Sequence, residues 1–284
     1  MAKGILMRRL FLLVIGVLIF NGHALAADEA LLPVKIFAHR GVTTHAPENS
    51  MASLQAAWQA GLHGAEIDIR TSADGVPILL HDSALDRTTN GAGPVKQKKW
   101  QDLKDLGLLD RQHLPTKEGI PRLDQVLTWL VNRPGFVVAL DLKDVVPSTI
   151  AQLVLKQNLE KRIILFVGGP ENAAQVRIYK NISDQLHISL SLEWWWRIEG
   201  LPAFAASATG ADSLFAAEWY FPTRGFQEAI EAGAEVHVYL WGRENLPDRM
   251  KAAAALGAQF ISSDDPLKLL PYVKKRGNPQ QASE

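Results

Sequence analysis

Residues 65–82 read AEIDIRTSADGVPILLHD. Two apolar runs flank Asp74-Gly75, and the link from Ile69 to Val76 is too short for a crossover helix, which needs about a dozen residues. Asp-Gly between two alternating runs is a hairpin signal. Side chains i and i+2 of a strand share a face, so Glu66 and Asp68 project together. Like charges that close together raise a pKa or demand a cation between them. Antiparallel pairing about the turn sets His81 across from Glu66 or Asp68, depending on register. The plain alternative is an edge hairpin with solvated charges. Inward acids beside a histidine and behind a glycine-rich loop are costly without a use, which favours a site.

Upstream, residues 35–49 read KIFAHRGVTTHAPEN. The apolar run Ile36 to Ala38 is a first strand that ends in His39-Arg40-Gly41. After Pro47, the residues Met51, Leu54, Ala57 and Trp58 fall at helical spacing, with a stop near Gly61. Two histidines, two carboxylates and an arginine thus gather where strands end and loops begin, which is where a barrel or an open α/β sheet keeps its chemistry.

Downstream of the hairpin, residues 96–120 are polar, with Lys96, Lys98, Lys99 and a short helical pattern around Leu103 to Leu109. Ile120-Pro121-Arg122-Leu123 opens a helix to Leu130. Phe136 to Leu142 is a continuous apolar run of the kind found in buried parallel strands. Helix and strand then alternate: Ile150 to Asn158, Ile163 to Val167, Ala173 to Tyr179 and Leu186 to Leu192. Ser213 to Ala216, Gln227 to Ala232, Val236 to Leu240, Asp248 to Leu256 and Phe260 to Ser263 follow. With the His81 arm set aside, eight strand candidates remain. The expected fold is α/β: a single distorted (β/α)8 TIM barrel with a β-hairpin near 65–82 and an inserted excursion near 96–120. A doubly wound open sheet is the rival, but no G-x-G-x-x-G follows a strand. The polar tail Lys274 to Glu284 reads as frayed.

Thirty Lys and Arg balance thirty Asp and Glu among 284 residues. Neutrality argues against nucleic acid as a partner, since no basic excess exists to track phosphates, and against a purely electrostatic membrane binder. An apolar content of 47% suits a full globular core. At the N-terminus, Lys3, Arg8 and Arg9 precede the apolar run Leu10 to Phe20, and His23-Ala24-Leu25-Ala26 supplies an A-x-A cleavage site. Residues 1–26 therefore read as a signal peptide cleaved near Ala26, which implies an exported protein, periplasmic or secreted. The run is shorter than the roughly 20 residues of a membrane span, so no stable span is expected in the mature chain. The absence of cysteine excludes disulfides and lipoprotein attachment. Residues 27–284 form the domain, close to the ~250 residues of a single barrel.

His39-Arg40-Gly41, Pro47-Glu48-Asn49, Glu66-x-Asp68, His81-Asp82 and the loop RTTNGAG from Arg87 to Gly93 come in order at compatible spacing. In these motifs the sequence resembles the glycerophosphodiester phosphodiesterase family. Each match alone is weak, and five in order are specific. The resemblance implies metal-dependent hydrolysis of glycerophosphodiesters to an alcohol and sn-glycerol 3-phosphate. His39 and His81 would divide the proton transfers, for which an unperturbed pKa near 6.5 is suited.

The family's Glu-x-Lys at a later strand end is matched by Asp141 and Lys143, with the acid one methylene shorter, as in some sphingomyelinase D-type enzymes. Glu66, Asp68 and Asp141 then form an all-oxygen ligand set for Ca²⁺ or Mg²⁺. Arg40 and Lys143 would neutralise phosphate. Asp82 is expected to orient a ring and Asn49 to hold the loop. Glu48 either reaches the metal or caps the first helix. His45 and His63 lie outside the motifs and read as solvent or packing histidines.

The chain departs from the family where relatives read Trp-Thr-Val-Asn. Val238-Tyr239-Leu240-Trp241-Gly242 stands there, so Tyr239 takes the tryptophan's place, Trp241 compensates, and both are expected at the substrate. Ser263-Asp264 resembles the family's closing Thr-Asp. Trp194-Trp195-Trp196 and Trp219-Tyr220-Phe221 follow strands, either as an aromatic-walled mouth or as local core. Two other functions stay open: a lysophospholipase D or sphingomyelinase D-like phosphodiesterase on lysophospholipids, and a non-catalytic exported binding protein.

Overall fold

The computed structural model describes residues 31–168, 172–192, 197, 200–221 and 223–277. The expected signal peptide and Trp194-Trp195-Trp196 lie outside these residues. Eight parallel strands close on themselves. They are β1 (Lys35–His39), β2 (Gly64–Thr71), β6 (Val137–Leu142), β7 (Ile163–Val167), β8 (His187–Ser191), β9 (Ser213–Ala217), β10 (Glu235–Leu240) and β11 (Phe260–Ser263). Each pairs with the next, and β11 returns to β1, so the molecule is a TIM barrel. The helices are α1 (Met51–Gln59), α3 (Leu123–Val131), α4 (Pro147–Lys156), α5 (Asn172–Ile182), α6 (Leu201–Thr209), α7 (Arg224–Glu231) and α8 (Leu246–Ala255). Among the described residues, no helix is long and apolar enough to cross a membrane.

Strand alternation divides the core in two. Outward side chains such as Ile36, Ile67, Leu140 and Val238 pack under the helices. Inward ones, among them Phe37, Phe166 and Phe260, fill the barrel. Gly64 makes room for this filling, since a Cβ there would sit 2.4 Å from the Val137 carbonyl and 2.5 Å from the Phe37 ring.

The hairpin forms between β2 and β3 (Pro77–Leu79), but its register differs from expectation. Leu79 pairs with Ile69, and the Leu80 N–H bonds the Asp68 carbonyl at 3.1 Å. Ladder pairing therefore stops before His81, which faces neither Glu66 nor Asp68 across the strands. The chain leaves the sheet at Leu80 and carries His81 into a loop.

The excursion holds a one-turn helix α2 (Trp100–Leu103) and a second hairpin, β4 (Gly107–Leu109) with β5 (Pro115–Gly119). The helical pattern expected through Leu109 ends at Leu103, and Gly107 begins a strand. Leu103 and Leu108 instead join Ile78, Leu80, Leu85, Val95 and Ile120 in a small core of their own. Helix α6 was absent from the periodic reading because LPAFAASAT carries no apolar stripe. Of the tail expected to fray, residues 278–284 lie outside the described ones, while Arg276 lies 3.5 Å above the Trp58 ring and bonds the Trp58 and Leu62 carbonyls. Residues 274–276 are thus fastened to the barrel.

Candidate active site

Parallel register brings the acids together. His39 lies beside Glu66, and Asp68 lies beside Asp141, across adjacent strands. Their inward side chains meet, and one oxygen from each of Glu66, Asp68 and Asp141 lies within 4.8 Å of the others. Glu66 and Asp68 are buried. Burial, and then repulsion from Asp68 and Asp141, pushes the Glu66 carboxyl well above the usual carboxylate range. Asp68 goes the other way. Burial opposes its charge, but Arg40 and Lys143 together hold it below that range. Lys143 Nζ lies 2.6 Å from Asp141 and 3.2 Å from Asp68. Burial disfavours its charge, and the pull of Asp141 and Asp68 outweighs this and raises its pKa.

The loop after β1 is bent to serve this cluster. Arg40 and Asn49 both adopt left-handed backbone conformations, φ 57° and 56°; asparagine tolerates this region, whereas for arginine it is a strain of about 1–3 kcal/mol of the kind that collects at functional sites. The bend aims the Arg40 N–H at Glu66 Oε2, 3.1 Å away. Gly41 follows at φ +81°, with Ser53 Oγ 2.2 Å from where a Cβ would stand. Asn49 grips Asp68 twice, donating from Nδ2 to its carboxylate at 2.9 Å and accepting its backbone N–H at 3.0 Å. Arg40 Nε lies 3.2 Å from Asp68 Oδ2, yet it is buried without a hydrogen bond.

Glu48 does not cap the first helix. Ser50 caps α1, and Glu48 accepts from Arg40 at 3.1 Å and from both terminal nitrogens of Arg87 at 2.8 Å. Burial works against the Glu48 charge, but the Arg87 hydrogen bonds and Arg40 keep its carboxyl low. Arg87 continues to Asp82, at 2.6 Å from Nε and 3.0 Å from Nη2, and so holds the Asp82 carboxyl well below its ordinary value. Asp82 in turn bonds His81 Nδ1 at 2.6 Å. An ionic chain thus runs from Arg40 to His81.

His39 is held from the other side. Its Nδ1 lies 2.7 Å from Asp264 Oδ1, and the Tyr239 hydroxyl is 3.0 Å from both. Burial disfavours charge on Asp264, but the hydrogen bond from His39 draws its carboxyl down. Burial, and then Asp264, pushes the Tyr239 phenol up. Of the two residues expected at the substrate, Tyr239 is largely buried against His39. Trp241 is 57% exposed and touches the rings of Tyr239 and Trp219. His45 is exposed, and His63 Nδ1 accepts the Ile36 N–H, so neither reaches the site.

Sequence reading gave Asp264 and Arg87 no role, although both stand in stretches that had been singled out. Each acts through a partner distant in the chain, 225 and 39 residues away, and spacing along one sequence does not reveal such contacts.

Comparison with known proteins then fixes the lineage. The profile of the glycerophosphoryl diester phosphodiesterase family matches residues 39–268. The chain belongs to that family. It is accordingly a phosphoric diester hydrolase by class. It is 28% identical over 254 residues to a glycerophosphodiester phosphodiesterase of Caldanaerobacter subterraneus, covering 85% of this chain and 98% of that one. An uncharacterised Bacillus subtilis protein, YqiK, is 33% identical over 149 residues, 49% of this chain and 60% of the relative's length. The crystal structure of a glycerophosphodiester phosphodiesterase from Agrobacterium tumefaciens superposes with a TM-score of 0.71 at 28% identity, covering 84% of this chain and 99% of that one.

Proposed function

We propose that the chain hydrolyses glycerophosphodiesters to an alcohol and sn-glycerol 3-phosphate. In this reading His39 and His81 divide the proton transfers, and a divalent ion, Ca²⁺ or Mg²⁺, is held by Glu66, Asp68 and Asp141. One observation carries the reading: each histidine has its Nδ1 tied to an aspartate, at 2.7 and 2.6 Å. A carboxylate only accepts, so Nδ1 carries the hydrogen and Nε2 is left to take or give a proton. His39 Nε2 lies 3.8 Å from Glu66, which sets it at the edge of the acid cluster.

The acids fit a hard cation. Their donors are all oxygen, and their three negative charges exceed what Arg40 and Lys143 neutralise, which leaves Glu66 buried and destabilised as an anion. An ion held there would supply positive charge to neutralise the phosphate. The protein's own groups do the rest. Arg40 and Lys143, both paired with Asp68, donate to the phosphate. One imidazole removes the proton from the attacking oxygen, and the other protonates the departing alkoxide. Release of sn-glycerol 3-phosphate from glycerophosphocholine by the purified protein tests this. His39→Ala and His81→Ala should each lower kcat by about 10²-fold or more, and undiminished turnover in either would remove that histidine from the chemistry.

A lysophospholipid substrate is a second reading, favoured by Trp219 and Trp241, which are 52% and 57% exposed and lie against each other, with Trp241 next to Tyr239. Turnover of lysophosphatidylcholine against glycerophosphocholine separates the two. Trp219→Ala should raise KM for the long-chain substrate alone, and equal effects on both would end the lipid reading. We also propose that the protein is exported, on the strength of its N-terminal charge and apolar pattern.

A further inference from the structure

Two cavities open at the site, one reaching Asp141 and the other reaching His39 and Arg40. One, of about 490 Å³, is walled by Leu142, Phe166 and Phe215, and its cations, Arg70 and Lys143, are paired with Asp144 and with Asp68 and Asp141. The other, of about 450 Å³, includes His39 and Arg40 and is bounded by Thr43, Arg111, Arg243 and Glu244. Arg40, Glu48 and Asp264 in its wall are already engaged with one another or with His39 and Arg87. Arg111 and Arg243 differ. Among the described residues, neither forms a hydrogen bond or an ion pair, which leaves two uncommitted guanidinium groups facing one exposed carboxylate, Glu244.

Arg111 is also presented by a built turn. It sits at the tip of the β4–β5 hairpin, where the Asp110 carboxylate accepts the Gln112 and Leu114 N–H groups at 2.9 Å each. The same arginine borders two further hollows, against Thr44 and Pro47 and against Arg87 and His113. The excursion thus carries one exposed cation beside the first βα loop.

Resting on the reading above, we infer that this cavity receives the alcohol arm of the diester, and that Arg111 and Arg243 select an arm carrying its own phosphate or carboxylate. A diester gripped at the acid cluster extends one arm to each side. Glycerol offers guanidinium groups only neutral hydroxyls, whereas the variable arm can carry an oxyanion that makes stronger, charge-assisted hydrogen bonds, so the variable arm is the one these arginines suit. Arginine's planar fork suits both oxyanions.

Matched substrates test the inference with the full chain and added divalent metal. Glycerophosphoinositol and its 4-phosphate differ only by a phosphate, and glycerophosphoethanolamine and glycerophosphoserine only by a carboxylate. The expected result is a kcat/KM about tenfold higher for the anionic member of at least one pair, and which pair responds identifies the oxyanion. The preference should fall several-fold in Arg111→Ala and in Arg243→Ala, vanish in the double variant, reverse in Arg111→Glu, and shrink with added salt. A ratio near one in the wild type, or an unchanged ratio in the double variant, overturns the subsite while leaving the hydrolase standing. No turnover of any of the four would overturn both.

Discussion

The ring of His39 is fixed from behind by two oxygens that come from strands some 200 residues further along the chain. Asp264→Asn exchanges an acceptor for an amide and should cost about 10²–10⁴-fold in kcat with little change in KM, because it disturbs the tautomer and not the binding groups. Tyr239→Phe removes only the shared hydroxyl, and its cost should be about tenfold or less. A larger loss in Tyr239→Phe than in Asp264→Asn would show that the phenol, and not the carboxylate, sets the ring. Glu66 offers a separate test. Its carboxyl is pushed up by burial and by two neighbouring acids, and an ion can bind only its deprotonated form. Metal affinity should therefore rise with pH through that range, with proton release seen as a buffer-dependent heat of binding; a pH-independent affinity would place the ion elsewhere. His39, Glu66, Asp68 and His81 were legible because their signals are local, an i, i+2 pair and short strand-end motifs. The burial of Tyr239 against Asp264 was not legible, because it depends on which strands close the barrel.

Among the elements, the eight barrel strands were readable from short apolar runs, and most helices from their stripe. The excursion was misread where it matters most for the rim. Leu103 to Leu109 has helix-like spacing, yet Gly107 and the pairing of β4 with β5 break it. A hairpin held by a partner strand leaves little trace in one strand's own sequence. The β2–β3 register escaped for a similar reason, since the Asp-Gly turn fixes that a hairpin forms but not where pairing ends. Gly64→Ala should destabilise by roughly 1–3 kcal/mol or more, because a carbonyl and the Phe37 ring both stand under 3 Å from the new methyl. Thermal unfolding several degrees lower is the expected reading. Arg276→Ala, which removes the contact over Trp58 and two carbonyl partners, should also lower Tm. No change would mean that the tail's attachment contributes nothing.

For the whole molecule, the barrel interior runs from an aromatic floor to a charged mouth. His237 lies in the floor among Phe37, Phe166, Phe215 and Phe260, bonded to Ser262 at 2.7 Å, and burial takes its pKa down to about 3. The unfolded chain binds that proton near pH 6.5, so stability from this group is full above about 6.5 and is lost as pH falls toward 3. The slope is about 1.4 kcal/mol per pH unit. His237→Phe should flatten the fall of Tm between pH 6.5 and 4, and a parallel fall in both proteins would count against the account of the floor. At the mouth, the central claim is that three acids seat a divalent ion between two aspartate-held histidines. The most direct measurement is glycerophosphocholine turnover by metal-stripped protein titrated with Ca²⁺ or Mg²⁺. Activity should be absent without metal, return saturably on addition, and fail to return in Asp68→Asn. Full turnover in the presence of chelator, or restoration in Asp68→Asn at the same metal concentration as the wild type, would contradict it.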